Sequence, residues 1–210
     1  LDAILSFGEL FSASIVAAAF RARGLEAHFL DARDLIVSDS NFGNARVDRA
    51  ASYAAIQGFF SNCSALQVVT GFIARDAAGR TTTLGRGGSD LTAALIGAAI
   101  NASEIEIWTD VDGILSADPR LVKAAFPLEE LSYSEAMELS HFGAKVLYPP
   151  TVLPALEKGI NIRVLNSFNS AAPGTLIHQG SGTGNEGDAA VKGISSIREV
   201  CLIRLQGPGM

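Results

Sequence analysis

Residues 81–90 read TTTLGRGGSD and join a β-branched run, which predicts a strand, to an Ala-rich stretch that predicts a helix. Glycines 85, 87 and 88 let the backbone approach an anion closely, and the free amides of a helix start point toward it. Arg86 adds a planar fork suited to a carboxylate or a phosphate. A plain tight turn with Ser89 or Asp90 as the helix N-cap is the alternative. A plain turn does not explain why an arginine stands among three glycines, so we interpret this turn as an anion-binding site.

The alternation of strand and helix extends outward from this turn over most of the chain. Helices are predicted at 5–23, 53–60, 89–100, 134–141 and 150–157, and strands at 26–30, 66–73, 105–108 and 161–165. A hairpin is predicted at 71–84, with its turn at 76–79. Strands that alternate with helices at this spacing indicate an α/β fold with a mainly parallel sheet.

The composition of the chain excludes several classes of protein. Of 210 residues, 48% are hydrophobic and 18% are charged, which is typical of a globular protein, and the net charge is -6. Nucleic-acid binding needs a basic face, so the acidic balance argues against that partner but does not exclude a bound nucleotide. The longest apolar run, 15–20, is too short to span a bilayer. We therefore expect no membrane partner, and no signal peptide is visible.

The cysteines and histidines bear on compartment and metal. Cys63 and Cys201 lie far apart in apolar stretches, which indicates free thiols and a reducing cytoplasm rather than a disulfide framework. The histidines show no ligand spacing with one another or with the cysteines; they are His28, His141 and His178. We expect no metal site built by the protein alone.

Polar residues 109–113, Thr-Asp-Val-Asp-Gly, follow directly on the predicted strand that ends at Trp108. Ligands of open α/β sheets bind at the carboxyl ends of strands, so Thr109 and Asp110 are well placed for binding. An ordinary Asp-Gly turn explains the same residues equally well. A calcium loop is excluded because its ligand spacing and distal glutamate are missing.

Two further charged residues are candidates, although each has an ordinary explanation. Lys145, in Phe-Gly-Ala-Lys at 142–145, could hold a phosphate as a point charge, but most such lysines are solvated. Glu9 lies at the start of the first helix, where an acidic residue usually complements the helix dipole. It becomes functional if a cationic group of a substrate lies nearby.

Residues 182–187, Gly-Thr-Gly-Asn-Glu-Gly, match the spacing of a dinucleotide-binding fingerprint. No helical pattern follows them, and their polar, Gly-rich surroundings are typical of a linker. We interpret the match as accidental and assign 179–190 to a flexible linker.

Taken together and in this order, the clusters resemble the aspartokinases of the amino-acid kinase family. The similar stretches are SFGELFSASI (6–15), GFIARDAAGRTTTLGRGGSDLTAALIGAAI (71–100), EIEIWTDVDGILSADPR (104–120), SYSEAMELSHFGAKVLYPPT (132–151) and APGTLI (172–177). The resemblance implies an amino-acid kinase catalytic domain at 1–178. The tail, 191–210, looks like the start of an ACT-type regulatory region. Its sequence most resembles that of aspartokinases fused to a homoserine dehydrogenase, although single-function enzymes can share it.

The resemblance implies that the protein uses ATP, with Mg²⁺ held mostly by phosphate oxygens, to phosphorylate the side-chain carboxylate of aspartate. Glu9 would hold the α-ammonium of aspartate, and Arg86 a substrate carboxylate with Ser89 nearby. Asp90 would organise the reacting groups as a catalytic residue together with Arg86. The nucleotide would be bound by Thr109, Asp110, Arg120, Lys145, Gly87 and Gly88. The resemblance also implies a homodimer or higher oligomer.

Two departures from the family pattern matter. Leu115 stands where the family usually has a tyrosine beside the nucleotide. The family's opening Lys-Phe-Gly-Gly strand, whose lysine neutralises the transferring phosphoryl group, is absent from these residues. Losing one such preorganised charge typically costs on the order of 100-fold in rate. We therefore expect this stretch alone to be weakly active or inactive.

Two alternatives remain open. The first is another kinase of the same family, acting on glutamate, acetylglutamate, carbamate or UMP. Glu9 together with Arg86 favours a free α-amino acid, because N-acetylated substrates and carbamate lack an ammonium group. The second is a non-catalytic module that binds an effector and dimerises, which the complete GRGGSD and WTDVDG runs disfavour.

Overall fold

The computed structural model describes residues 1–141, 148–180 and 191–196. The helices are α1 (Asp2–Ala22), α2 (Arg49–Phe60), α3 (Gly88–Ile100), α4 (Tyr133–His141) and α5 (Pro149–Glu157), with one 3-10 helix at Ala32–Asp34. The strands are β1 (Ala27–Leu30), β2 (Val37–Ser38), β3 (Leu66–Val69), β4 (Ile73–Asp76), β5 (Thr81–Thr83), β6 (Glu104–Thr109), β7 (Glu130–Ser132), β8 (Asn161–Asn166) and β9 (Thr175–His178).

The described strands form three sheets, with strand orders β1-β3, β2-β4-β5 and β6-β8-β9-β7. The pairs β1–β3, β2–β4, β6–β8 and β7–β9 are parallel, while β4–β5 and β8–β9 are antiparallel. The α/β class with mainly parallel pairing is therefore confirmed, and so is the hairpin formed by β4 and β5.

Helix α3 connects the two hydrophobic cores of the molecule. Ala94 and Ala98 belong to the core around β6 and β8, whereas Leu95 and Ala99 belong to the core around β4 and α2. Small residues let the helix pack closely: a Cβ added at Gly97 would lie 2.6 Å from the Cδ1 atom of Ile105. Because both cores hold α3, the turn at its N-terminus is fixed to the body of the fold.

Helix α1 buries polar and small residues and exposes large apolar ones. It packs on β1, β3 and β5, and its buried residues are Asp2, Ser6, Ala13 and Ala17. The opposite face exposes Ile4, Phe7, Phe11 and Ile15. The apolar periodicity predicted the helix correctly. The usual expectation that the apolar face of a helix is buried does not hold here, because α1 turns its polar face toward other segments that hydrogen-bond with it.

By length and composition alone, α1 could also cross a membrane, and it is the one described helix for which this holds. The prediction that no segment spans a bilayer was based on the longest run of consecutive apolar residues. It did not consider a long helix in which a few polar residues interrupt the apolar ones. Two carboxylates on α1, Asp2 and Glu9, nevertheless accept hydrogen bonds from backbone N–H groups of other segments. These bonds tie α1 to the α/β domain.

The predicted strand 66–73 is broken into β3 and β4, which belong to different sheets. The break lies at Thr70, Gly71 and Phe72. The Thr70 side chain is buried, and its Oγ1 accepts a hydrogen bond from Ala32 N–H at 2.8 Å. Phe72 has φ of 67°, a left-handed conformation that no continuous strand contains. The prediction of one strand was therefore wrong, because an apolar run gives no sign of backbone handedness.

The remaining differences concern short or terminal segments. Strands β2 and β7 were missed because two or three residues carry too little periodicity. Residues 191–196, at the start of the predicted regulatory region, contain no strand. The linker and the accidental fingerprint lie almost wholly in 181–190, which is outside the described residues, as is 197–210.

We predict that Asp76 stabilises the fold in a manner that depends on acid pH. A hydrogen bond from the backbone N–H of Arg80 lowers the pKa of Asp76, and burial opposes this effect. Further hydrogen bonds from Arg80 Nε and Ser40 help to bring the pKa to about 2. A lowered pKa gives stability that is complete above the unfolded value of 3.8 and is lost as pH falls toward 2. Asp76→Asn should therefore lower Tm at pH 7, and the difference from the unsubstituted chain should shrink between pH 4 and pH 2.

Thermal unfolding followed by circular dichroism across this pH range measures the effect. Glu26→Gln is the matched control, because the Glu26 side chain is 83% exposed. It should shift Tm little at any pH. A difference between Asp76→Asn and the unsubstituted chain that stays constant from pH 7 to pH 2 would contradict the assignment.

Candidate active site

The break between β3 and β4 is the point where three segments of the candidate site meet. Gly71 N–H donates to Glu9 Oε2 at 3.2 Å, which brings α1 to the break. A Cβ added at Gly71 would lie 2.7 Å from Ser89 Oγ, which brings the first turn of α3 to the same point. Glu9 and Ser89, predicted to bind one substrate, therefore lie on two sides of a single glycine.

Phe72, directly after this glycine, is held in its left-handed conformation by contacts on both sides. Its N–H donates to Thr92 Oγ1 at 3.2 Å, and its carbonyl accepts from Leu84 N–H at 2.9 Å. A Cβ at Gly88 would lie 2.9 Å from the Phe72 ring. Such a conformation in a bulky residue costs free energy and is typical of functional sites.

The turn at 84–88 owes its shape to its glycines. Gly85 and Gly87 have φ of 73° and 70°, which side chains disfavour. Gly88 N–H donates to Gly85 O at 3.1 Å, so this amide is already bonded within the turn. Helix α3 begins at Gly88 with Gly87 as its N-cap, and no side chain caps it. The alternative in which Ser89 or Asp90 serves as N-cap is therefore wrong.

Ser89 and Asp90 instead lie inside the first turn of α3. Ser89 is exposed and Asp90 is partly buried. Burial raises the pKa of the Asp90 carboxyl above its ordinary value. A carboxylate whose ionised form is penalised by burial, next to a polar junction, is a candidate for a functional role.

Arg86 projects from the same turn and is exposed. Its guanidinium lies over the ring of Tyr148, 5.1 Å from the ring centroid, in a cation–π arrangement. Arg86 stands three positions before Ser89 in the sequence, so their Cα atoms lie at most about 10 Å apart. The backbone of Arg86 is therefore in the same turn region as Ser89, while its guanidinium is turned toward Tyr148.

The cluster at 109–113 lies at the carboxyl ends of the parallel strands β6 and β8. Thr109 Oγ1 donates to Asp110 Oδ1 at 3.2 Å, and both residues reach the surface there. Asp112 Oδ1 accepts from Asn166 Nδ2 at 2.8 Å and from Asn169 Nδ2 at 3.0 Å. Asp112 therefore joins the loops that follow the two strands, and Asp110 stays exposed beside it.

The Asp-Gly pair at 112–113 also has a structural role, because Gly113 packs closely against Thr175. Its Oγ1 accepts from Ile114 N–H at 2.8 Å and donates to Leu128 O at 2.6 Å, and Thr175 is fully buried. A Cβ at Gly113 would lie 2.5 Å from this oxygen, and φ of Gly113 is 130°. The turn explanation and the binding explanation of this cluster are compatible.

Of the two residues predicted to bind phosphates, Arg120 lies in the described part of the chain and Lys145 does not. Arg120 forms a forked ion pair with Asp118, 2.7 Å at its closest. The hydrogen bonds that Arg120 donates to Asp118 raise the pKa of the guanidinium. The Arg120 side chain is 78% exposed. Lys145 falls within 142–147, outside the described residues.

Residues 191–196 contact the loop that carries Arg120. Ile194 N–H donates to Ser116 O at 2.8 Å, and Lys192 Nζ lies 3.1 Å from Glu135 Oε1. Burial would raise the pKa of Glu135, but hydrogen bonds from Ser132 and Lys192 lower it overall. The start of the tail is thus fixed to the body of the domain. Between it and the loop lies a groove of about 360 Å³.

Four residues of the junctions were missed by sequence reasoning: Asp2, Gly71, Phe72 and Thr175. Gly71 carried a usable signal, because a single glycine inside a strand-like run indicates a bulge or a close backbone approach. The other three carried none, since their importance comes from partners distant in sequence. Among the described residues no group of three His, Cys, Asp or Glu side chains could hold a metal. The expected lack of a protein-built metal site stays a prediction.

Comparison with known proteins agrees with the motifs. The Amino acid kinase family profile matches residues 1–166. The chain is 41% identical over 212 residues to bifunctional aspartokinase/homoserine dehydrogenase 1 of Zea mays, covering 100% of this chain and 23% of the relative. It is 44% identical over 178 residues to lysine-sensitive aspartokinase 3 of Escherichia coli, covering 84% of this chain and 40% of the relative.

Solved structures agree as well. E. coli aspartokinase III in complex with aspartate and ADP superposes with a TM-score of 0.80 at 43% identity, over 86% of this chain and 41% of that one. Aspartate kinase from Clostridium acetobutylicum gives 0.81 at 34% identity, over 92% and 42%. The expected fold is confirmed. The chain spans less than half the length of these relatives, and it belongs to the amino acid kinase family.

Proposed function

We propose that the protein is an aspartate kinase, which transfers the γ-phosphoryl group of ATP to the β-carboxylate of L-aspartate. The product would be 4-phospho-L-aspartate, made in the first step of lysine, threonine and methionine biosynthesis. The named relatives support this proposal, as does the complex of E. coli aspartokinase III with aspartate and ADP. The observation that carries it is the junction at Gly71, which Glu9 and Ser89 both approach, with Arg86 in the turn that leads to Ser89.

The proposed site would bind aspartate through its α-ammonium and one of its carboxylates. Glu9 has its second carboxylate oxygen available for the α-ammonium while Oε2 stays on Gly71 N–H. Arg86 would turn from the Tyr148 ring to form a forked pair with a carboxylate, which is worth more than the exposed cation–π contact. Ser89 would add a hydroxyl donor. An anion partner and a cation partner together favour a free amino acid.

Phosphoryl transfer to a carboxylate needs little acid–base help, because the acceptor is already ionised at neutral pH. The β-carboxylate oxygen would form a bond to the γ-phosphorus, and the bond from that phosphorus to the β–γ bridging oxygen would break, releasing ADP. Positioning and charge neutralisation then account for most of the catalysis. Asp90, beside the junction, would orient the reacting groups.

The nucleotide is assigned to the other end of the site. Thr109 and Asp110, at the carboxyl end of β6, would contact it, with Arg120 and Lys145 on its phosphates. Arg120 would exchange Asp118 for a phosphate, which its exposure allows. The close backbone at Gly87 and Gly88 would face the same anion. Leu115 would leave the adenosine side without the family's usual tyrosine.

The donor set fits Mg²⁺ bound through ATP. Exposed Asp110 offers one carboxylate, and Mg²⁺ commonly takes one or two carboxylates with phosphates and water. The ion would neutralise charge on the phosphates. The residues of this chain would supply the rest by holding the two substrates in line.

The remaining assignments follow from the family and are proposals for the whole protein. The chain corresponds to 23% of the bifunctional relative and 40% of the lysine-sensitive one. We propose a cytoplasmic homodimer or higher homo-oligomer, a catalytic domain at 1–178, a linker at 179–190 and an ACT-type region from 191. Weak turnover by these 210 residues alone stays a prediction.

We predict that removing either charge partner abolishes tight aspartate binding. Glu9→Gln and Arg86→Ala should each weaken the Kd for L-aspartate by about 10- to 100-fold, because a hydrogen bond to a charged group is worth about 1.5–3 kcal/mol. Isothermal titration calorimetry of the chain measures this. Arg49→Ala is the matched control, since Arg49 forms an exposed ion pair that joins α2 to Glu157 of α5.

N-acetyl-L-aspartate separates aspartate kinase from the acetylated-substrate alternative. It lacks the ammonium that Glu9 would bind, so we expect no measurable binding. If N-acetyl-L-aspartate binds as well as L-aspartate, or if both variants keep the original Kd, the proposed function is wrong.

We also predict that Gly71 cannot carry a side chain. In Gly71→Ala the new Cβ would lie 2.7 Å from Ser89 Oγ and 3.0 Å from Ser89 Cα. It must push α3 away from the break, so both Tm and affinity for L-aspartate should fall. Gly58→Ala is the control, because nothing lies within 4 Å of its Cβ position inside α2. Alanine there should stabilise the helix by about 0.5–1 kcal/mol.

Differential scanning fluorimetry and calorimetry of L-aspartate binding test both variants together. The account of the junction fails if Gly71→Ala matches Gly58→Ala in Tm and in affinity.

A further inference from the structure

Phe168, in the loop that follows β8, is 87% exposed although the turn that carries it is held by hydrogen bonds. Its N–H donates to Asn166 Oδ1 at 2.9 Å, and Asn169 N–H donates to Asn166 O at 3.2 Å. The backbone of Phe168 is therefore fixed while its ring faces solvent. Single exposed apolar residues are common on protein surfaces, so the position of this ring decides whether it has a role.

The residues on both sides of Phe168 bond to the polar cluster that follows β6. Ser167 N–H donates to Thr109 O at 2.8 Å. Asn169 Nδ2 donates to Asp112 Oδ1 at 3.0 Å. Phe168 thus stands between two residues that touch the cluster assigned to the nucleotide, at the carboxyl ends of β6 and β8.

The cluster itself supplies polar groups but no ring. Residues 109–116 read TDVDGILS and contain no aromatic residue. Trp108, directly before them, has its indole N–H turned back to Glu106 Oε2 at 2.9 Å, two residues earlier on β6. Phe168 is therefore the ring that the hydrogen bonds bring beside Thr109 and Asp110.

We propose that Phe168 binds the nucleotide by stacking its ring on the flat face of the base. This inference rests on the proposed function, because it needs ATP or ADP at Thr109 and Asp110. Sites for such ligands combine apolar or aromatic walls with a few polar groups, and here the loop after β8 supplies the wall. Stacking accepts any base, so Phe168 raises affinity for the nucleotide without choosing the base.

Calorimetry on the chain compares the Kd values of ADP, inorganic tripolyphosphate and L-aspartate. In Phe168→Ala the ADP Kd should weaken about 5- to 100-fold, the factor that stacking of one base typically contributes. The Kd values of tripolyphosphate and L-aspartate should stay within about twofold, because neither ligand has a base. Phe168→Tyr keeps the ring and should keep the affinity for ADP.

Two further variants sharpen the test. Phe11→Ala is the matched control, because Phe11 is a phenylalanine that is 62% exposed on the outer face of α1. It should leave the ADP Kd unchanged. Phe168→Trp adds an indole to a chain whose one tryptophan is Trp108. Relative to the unsubstituted chain, the added fluorescence should be quenched by ADP and not by tripolyphosphate.

The outcomes separate this inference from the proposed function. If the unsubstituted chain binds no ADP, both are overturned. If it binds ADP but Phe168→Ala keeps the original Kd, or loses tripolyphosphate affinity by the same factor, the inference alone fails. It also fails if Phe168→Ala keeps the ADP Kd and changes the sedimentation of the chain, because the ring then belongs to an interface between copies.

Discussion

The site depends on one close approach, in which the backbone of Gly71 separates Glu9 from Ser89 without a side chain of its own. With no side chain at Gly71, Glu9 of α1 accepts a hydrogen bond from its N–H while Ser89 of α3 occupies the space that a Cβ would fill. The change of chain direction after Gly71 requires a left-handed backbone at Phe72, which costs free energy. A hydrogen bond from Phe72 N–H to Thr92 holds this conformation. The absence of a side chain at Gly71 is therefore what lets Glu9 of α1 and Ser89 of α3 both approach this residue.

The same constraint explains why α1 buries its polar face and exposes its large apolar residues. A helix that must present Asp2 and Glu9 to the domain cannot bury a conventional apolar face there. The buried polar groups would be costly if unpaired, but the Asp2 carboxylate is met by Gly43 and Thr83. The large apolar residues are left on the outer face, where Phe7 stacks on Phe11. Hydrogen bonds of Asp2 and Glu9 to other segments thus accompany the burial of this face of the helix.

Much of the fold could be predicted from the sequence because its signals are local. The β-branched run at 81–83, the glycines after it and the Ala-rich α3 all report on their own backbone. Gly71 gave a local signal for a break, but the left-handed backbone of Phe72 could not be predicted, because it is held by Thr92 and Leu84, far along the chain. The periodicity of α1 indicated a helix but not which face is buried. For the site, the motifs predicted Glu9, Arg86 and Ser89 as candidates, while the role of Asp2 needed coordinates.

The central proposal is that one amino acid binds Glu9 and Arg86 at the same time. A crystal structure of the chain with L-aspartate measures this directly. We predict a single aspartate with its ammonium within about 3 Å of the Glu9 carboxylate and a carboxylate in a forked pair with Arg86, which has left the Tyr148 ring. Aspartate bound to only one of the two residues, or bound elsewhere on the molecule, would contradict the account.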